Sequence, residues 1–237
     1  MRLRAIFVLL MGLILLISLP ISVAADSSQE WFFTEKNYSG TPAVDGTFHS
    51  CDKIMNKTVP SGPQGIRWIG EIKSADLTAW WYAGDPAGCD VSFGEGDWQV
   101  NLWYVNSFLS GTLHAEVYSV QPDGNMERLL AEGTATIGTS LALKSITIDC
   151  YDSPEAQTVL NGDRLALRLS YESPYYIDGM LIFYNTESRP SSLGSPETDP
   201  GYPLPELSTL ALFGGGLACL VGYLALSRRK VHLIEHS

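Results

Sequence analysis

Positive charge is scarce in the long central part of this chain. Of the 15 Lys and Arg residues, Arg2, Arg4, Arg228, Arg229 and Lys230 lie outside residues 26–206, whereas of the 26 Asp and Glu residues only Glu235 does, which leaves 10 basic residues against 25 acidic ones. So acidic a surface opposes binding to nucleic acid or anionic lipid, so that no nucleic-acid partner is expected, and suits solubility, cation association or a saline exterior. The local signatures of several chemistries are also missing: there is no Gly-x-Ser-x-Gly elbow, phosphate loop, dinucleotide fingerprint or His-Glu-x-x-His pair. Cysteine is sparse and never occurs as Cys-x-x-Cys, and the two histidines of this part, His49 and His114, are isolated from each other, so a zinc site is not expected. Glycoside hydrolysis would need only two carboxylates, but no pair stands out among so many. No catalytic residue can be named, and an enzyme is not expected.

What is present begins at the two ends. Residues 1–25 carry a basic start (Arg2, Arg4), an apolar stretch from Ala5 to Leu19 and the small residues Val23-Ala24-Ala25 before Asp26. This is the layout of a cleaved secretory signal, and an uncleaved N-terminal anchor is the alternative. Residues 207–226 carry no charge and are long enough to span a bilayer. Arg228, Arg229 and Lys230 follow in the tail 227–237 and belong on the cytoplasmic side, which places residues 26–206 outside the cytoplasm. Gly214-Gly215-Gly216 and the lack of a charged face argue against a buried helix of a water-soluble protein.

The same tail runs Pro205-Glu206-Leu207, then Ser208-Thr209-Leu210-Ala211-Leu212, then Gly214 to Gly216, then Arg228-Arg229-Lys230. This order resembles the PEP-CTERM and PEF-CTERM sorting segments recognised by exosortases and archaeosortases. Leu207 departs from the usual Pro or Phe, and Val231 to Ser237 continue past the basic cluster. The resemblance covers only the tail and implies cleavage near Pro205-Glu206 by a membrane-embedded, transpeptidase-like enzyme. Retention of the span as a permanent anchor is the other reading.

Residues 26–187 suit one domain. Residues 188–206 hold Pro190, Pro196, Pro200, Pro203 and Pro205 among Ser, Gly and acidic residues, and are expected to form an extended stalk. Within the domain the dominant period is two. Leu165, Leu167, Leu169 and Tyr171 alternate with Ala166, Arg168 and Ser170; Val100, Leu102 and Tyr104 with Gln99, Asn101 and Trp103; Leu113, Ala115 and Val117 with His114, Glu116 and Tyr118. Turns are expected at Gln121-Pro122-Asp123-Gly124-Asn125 and Asn161-Gly162-Asp163. Further strands are expected near Trp31–Thr34, Ile66–Lys73, Thr78–Ala83, Met126–Glu132, Leu143–Cys150 and Gly179–Tyr184. Short strands between Gly, Pro, Asn and Asp turns point to an all-β fold, an antiparallel β-sandwich of jelly-roll kind rather than a closed barrel.

Cys51, Cys89 and Cys150 lie in the exported part and Cys219 in the apolar run, so at most one intramolecular disulfide forms. Cys51–Cys89 is the favoured pair, because both sit in loop-like sequence, and three reduced thiols are the alternative. Asn37-Tyr38-Ser39 and Asn56-Lys57-Thr58 are glycosylation sequons. Asp85, Asp90, Glu95 and Asp97 fall in one Gly-rich acidic loop, a weak calcium candidate that matches no EF-hand. Trp80, Trp81 and Trp103 are candidates for stacking on sugars, because neighbouring strand residues face opposite ways and one ring of each adjacent aromatic pair could be displayed. Two functional readings follow. One is an exported structural or adhesive element of the cell envelope, touching glycans or surface proteins; the other is a surface-displayed carbohydrate-binding module, or more remotely a glycoside hydrolase.

Overall fold

A computed structural model describes residues 28–72, 75–106, 109–152, 158–174, 178–199 and 201–202. The signal segment 1–25, the motif Pro205-Glu206-Leu207, the apolar run 207–226 and Arg228, Arg229 and Lys230 lie outside the described residues. Among the described residues the fold is all-β, and no helix is long and apolar enough to cross a membrane.

The strands in chain order are β1 (Glu30–Asn37), β2 (Phe48–Asn56), β3 (Gly65–Ile72), β4 (Ala75–Ala83), β5 (Val91–Ser92), β6 (Trp98–Asn106), β7 (Gly111–Val120), β8 (Met126–Ile137), β9 (Lys144–Asp152), β10 (Thr158–Val159), β11 (Arg164–Glu172), β12 (Gly179–Tyr184) and β13 (Ser192–Gly194). β5 and β10 form a small separate ladder. The rest form one sheet that returns on itself. It runs β11-β7-β8-β9-β6, continues through β13, β1 and β2 to β4, and β4 pairs back with β11. β12 and β3 make a second bridge between β6 and β4. All-β was expected, but two separate sandwich sheets are not what the hydrogen bonding describes: the ladders close, and closure removes the exposed edges an open sheet must protect.

Alternation does what the sequence led us to expect. Val100, Leu102, Leu113, Ala115, Val117, Leu165, Leu167 and Leu169 all point into one core and are buried. Aromatic rings fill its middle. Phe33 stacks on Trp81 with centroids 4.5 Å apart, Trp81 meets Tyr184 edge-on at 5.4 Å, and Trp31 stacks on Trp98 at 6.4 Å. Both predicted turns form: Gly124 and Gly162 take φ of 88° and 90°, where a side chain would be strained.

Four strands escaped the sequence reading. β2 reads as a polar segment because Asp52 and Lys53 interrupt it. It is a strand because it pairs in parallel with β4, from Phe48 opposite Leu77 to Met55 opposite Ala83, a long-range partnership with no local signature. β5 and β10 are only two residues long. β13 lies inside the expected stalk, and there the expectation is corrected. Residues 191–199 and 201–202 of the Pro- and Ser-rich segment are part of the domain: β13 pairs with β1 and β6, and Leu193 and Tyr202 are fully buried. Its buried serines serve the fold. Ser191 Oγ donates to Phe183 O at 2.7 Å and accepts from Trp103 N at 3.0 Å, and Ser192 Oγ donates to Glu30 Oε1 at 2.6 Å.

Candidate functional site

The outward face of β4, β11 and β7 is ordered by strand register. Arg168 lies opposite Trp80 on one side and Glu116 on the other; Ser170 lies opposite Thr78 and His114; Ala166 lies opposite Tyr82 and Tyr118. These form three rows across the sheet. Parallel pairing with β2 adds His49 beside Thr78 and Asp52 beside Trp80.

The chain between β1 and β2, residues 38–47, crosses this face as a strap. It covers the Tyr82/Ala166/Tyr118 row, where Ala43, Trp80, Tyr82, Val120 and Ala166 make a second apolar cluster with Tyr38, Tyr118 and Met126 at its rim. Tyr38 stacks on Tyr82 at 4.0 Å. Main-chain bonds hold the strap to the barrel: Ala43 N donates to the Tyr82 hydroxyl at 2.9 Å and Val44 N to Gly124 O at 2.9 Å. Gly124 allows this approach, since a Cβ there would lie 2.3 Å from Pro42 O.

At the open edge of the strap sits a chain of alternating charges. Asp45, whose side chain is 2 % exposed, accepts from Thr47 N (2.9 Å), Thr47 Oγ1 (2.7 Å) and Trp80 Nε1 (3.1 Å), and lies 3.3 Å from Arg168 Nε. Arg168 reaches Glu116 Oε2 at 2.6 Å. On the other side His49 Nε2 is 3.0 Å from Asp45 Oδ1, and His49 Nδ1 is 2.9 Å from Asp52 Oδ1. A carboxylate at each nitrogen favours the imidazolium, the form that can donate from both. The Asp52 bond is the main force raising the His49 pKa; burial opposes it and Asp45 adds to it. For Asp45 burial acts upward, but the bonds from Thr47 and His49 outweigh it and hold the carboxyl below its ordinary value. With both nitrogens committed, His49 cannot act as a general base. It is a clasp.

Beyond the strap the face stays open as a cleft of about 360 Å³, lined by Gly70, Leu77, Thr78, His114, Glu116, Arg168, Ser170, Tyr171 and Glu172. Its floor is the Thr78/Ser170/His114 row, and the Arg168–Glu116 pair closes one end. His114 Nε2 is 3.4 Å from Glu172 Oε2. Among the described residues no hydrogen bond joins Ser170 to His114, so the hydroxyl is not set up as a nucleophile by that ring. The cleft offers neutral hydroxyls beside the Arg168–Glu116 pair and the Glu172 carboxylate, chemistry that matches ligand hydroxyl and amide groups.

No family model matches the chain, and no curated protein does. Solved structures do. The chain is similar to a CocE/NonD family hydrolase from Staphylococcus aureus, at 13 % identity and TM-score 0.53 over 72 % of this chain and 36 % of that one. It is also similar to an aminopeptidase from a marine sediment archaeon, Thaumarchaeota archaeon, at 11 % identity and TM-score 0.51 over 71 % of this chain and 36 % of that one. The chain thus spans about a third of the length of these structures. At such identities the likeness is one of fold.

The residues singled out from sequence are scattered by the structure. Trp80 and Trp81 do point to opposite faces, but both are fully buried, Trp80 under the strap and Trp81 in the core, so neither ring is displayed. Trp103 is half-buried. Cys51 and Cys89 are not joined: Cys51 is buried on β2 against Trp80 O, Cys89 is exposed in the loop before β5, and Cys150 is a third free thiol, buried on β9. Burial pushes the Cys51 and Cys150 thiols up to about 12. The acidic loop is divided. Asp90 Oδ1 accepts from Asn161 N at 2.8 Å and Asp85 O from the Tyr202 hydroxyl at 2.9 Å, while Glu95 and Asp97 line a separate groove with Glu30 and Glu197. Among the described residues no three His, Cys, Asp or Glu side chains are placed to share a metal ion. Asn37 is exposed and its Oδ1 accepts from Lys53 Nζ at 2.6 Å; Asn56 is half-buried at the end of β2.

Asp45, His49, Asp52, Glu116 and Arg168 were not picked out as a group. Each polar position on β7 and β11 was legible from alternation. Their meeting was not, because it depends on β11 lying between β7 and β4 and on the strap bringing Asp45 over them.

Proposed function

We propose that this protein is an exported, surface-held binding module with a structural or adhesive role in the cell envelope, sorted or anchored through its C-terminal segment. The outer-face cleft is the part that meets a partner, and the observation that carries this is its lining. Thr78, Ser170, His114, Glu116, Arg168 and Glu172 line one open recess on a closed scaffold. Hydroxyls set beside two carboxylates and one guanidinium suit a hydroxyl-rich ligand, which makes an envelope glycan the favoured partner class. The short contact between β8 and β9, limited to Ala131–Asp152 and Glu132–Tyr151, supports reading the barrel as a pinched, jelly-roll-like sandwich. We infer binding rather than catalysis, since the clasp histidine is committed to two carboxylates and Ser170 is not bonded to His114.

The test is titration of the full chain in detergent with a panel of soluble polysaccharides. Saturable binding that disappears when Ser170→Trp fills the cleft, while thermal unfolding stays unchanged, is the expected result. Binding that survives Ser170→Trp moves the site elsewhere, and inertness across the panel removes glycan binding.

A further inference from the structure

The folded domain ends much closer to the apolar run than the composition of residues 188–206 suggests. Tyr202 is fully buried. Its ring lies 6.0 Å from Trp31 and 6.4 Å from Phe93, its hydroxyl donates to Asp85 O at 2.9 Å and accepts from Leu165 N at 3.2 Å, and its amide donates to Asp199 Oδ1 at 3.1 Å. Lys57 Nζ donates to its carbonyl oxygen. The chain is therefore pinned to the barrel at residue 202 from several elements at once. Only Pro203, Leu204, Pro205 and Glu206 separate it from the charge-free run that starts at Leu207. Four residues reach at most about 14 Å, of which roughly 5–8 Å is taken up in crossing the headgroups on one side of a bilayer core, so the Tyr202 end can stand no more than about 9 Å off the lipid surface.

The elements around Tyr202 define one end of the barrel. They are the last residues of β2, the loop from Gly84 to Asp90, and the turn from Leu160 to Asp163, with Ala87 N bonded to Asp163 O and Gly162 N to Ala87 O, both at 2.8 Å. The cleft is at the other end of the same strands. β11 runs from Leu165, bonded to Tyr202, to Ser170 on the cleft floor, a rise of about 17 Å at roughly 3.3 Å per residue.

From this we propose that the Tyr202 end of the barrel rests on the lipid surface and the cleft faces away from it. The inference rests on the anchored reading above and assigns the domain an orientation that reading does not contain. The surface it fits is a zwitterionic one. Asp85 and Asp90 are exposed at this end, so it is kept near the lipid by the short tether and not by attraction to charged headgroups. The cleft is thereby held clear of the bilayer, open to partners outside the cell.

The test uses the full chain in phosphatidylcholine vesicles containing a nitroxide-labelled lipid as quencher. Cys89 is the exposed thiol among the described residues and lies in the loop at the Tyr202 end, so a fluorophore placed there, in a Cys219→Ser background, reports on that end. A second protein with Cys89→Ser and Glu172→Cys reports on the cleft end. Quenching severalfold stronger at Cys89 than at position 172, unchanged by high salt, is expected. Inserting about twelve Gly/Ser residues after Tyr202, worth roughly 20 Å of mean reach, should abolish the difference. Equal quenching at both positions in vesicle-bound protein, or an insertion without effect, overturns the orientation. Protein that fails to float with the vesicles overturns the anchored reading itself, and the orientation with it.

Discussion

Replacing Asp45 by Ala tests the clasp that holds the strap. Its carboxylate, 2 % exposed, is shared by Thr47, Trp80, His49 and Arg168. Deleting it leaves the His49 cation with one partner, Arg168 with Glu116 alone, and the Trp80 indole without its acceptor. Removing one member of a largely buried ion pair costs about 3–5 kcal/mol, a large part of the 5–15 kcal/mol that keeps a domain folded. The sign of the pH dependence follows from the direction of each shift. His49 is raised above 6.5, so its contribution is complete below 6.5 and is lost as pH rises through the folded-state value. Asp45 is lowered below 3.8, so its contribution is complete above 3.8 and fails only in stronger acid. Urea unfolding of a fragment covering residues 26–202, followed by tryptophan fluorescence from about pH 5 to pH 9, should show stability falling at the alkaline end. His49→Gln should be less stable at low pH and should lack that fall. A wild-type curve flat across this range, or a His49→Gln curve parallel to it, would refute the clasp; Asp45→Ala costing under about 1 kcal/mol would show that the strap is held by its apolar contacts alone.

Other outcomes follow from the same packing. A fragment ending at Glu187 removes β13 and Tyr202; deleting buried Leu and aromatic side chains costs about 2–5 kcal/mol each, so this fragment should be unfolded by circular dichroism where residues 26–202 are folded. Trp81→Ala should cost about 3–5 kcal/mol by denaturant titration, because its ring is enclosed by Phe33 and Tyr184, whereas Trp103→Ala on the half-buried surface should cost much less. In native residues 26–202 one thiol, Cys89, should react with a maleimide, and Cys51 and Cys150 should react only after unfolding, as their burial and their rise to about 12 require. Two or more thiols reacting at the native rate would contradict this packing.

The sequence by itself determined the all-β character and most strand positions, because a period of two in Leu165–Tyr171, Val100–Tyr104 and Leu113–Val117 permits one buried face and little else. It also determined the turns at Gly124 and Gly162, since positive φ is a local demand. The acidic balance and the two terminal apolar segments are likewise read directly from composition. Tertiary structure alone decided three matters. It closed the sheet, because pairing β4 with both β2 and β11 joins residues far apart in the chain. It folded residues 191–199 and 201–202 into the barrel, where the Ser191 and Ser192 hydroxyls, satisfied by Phe183 O and Glu30, made a linker-like composition compatible with burial. It assembled Asp45, His49, Arg168 and Glu116 from a strap and three strands. Alternation states which way each residue faces but never which strand lies beside it, and the cleft and its clasp consist entirely of such neighbours.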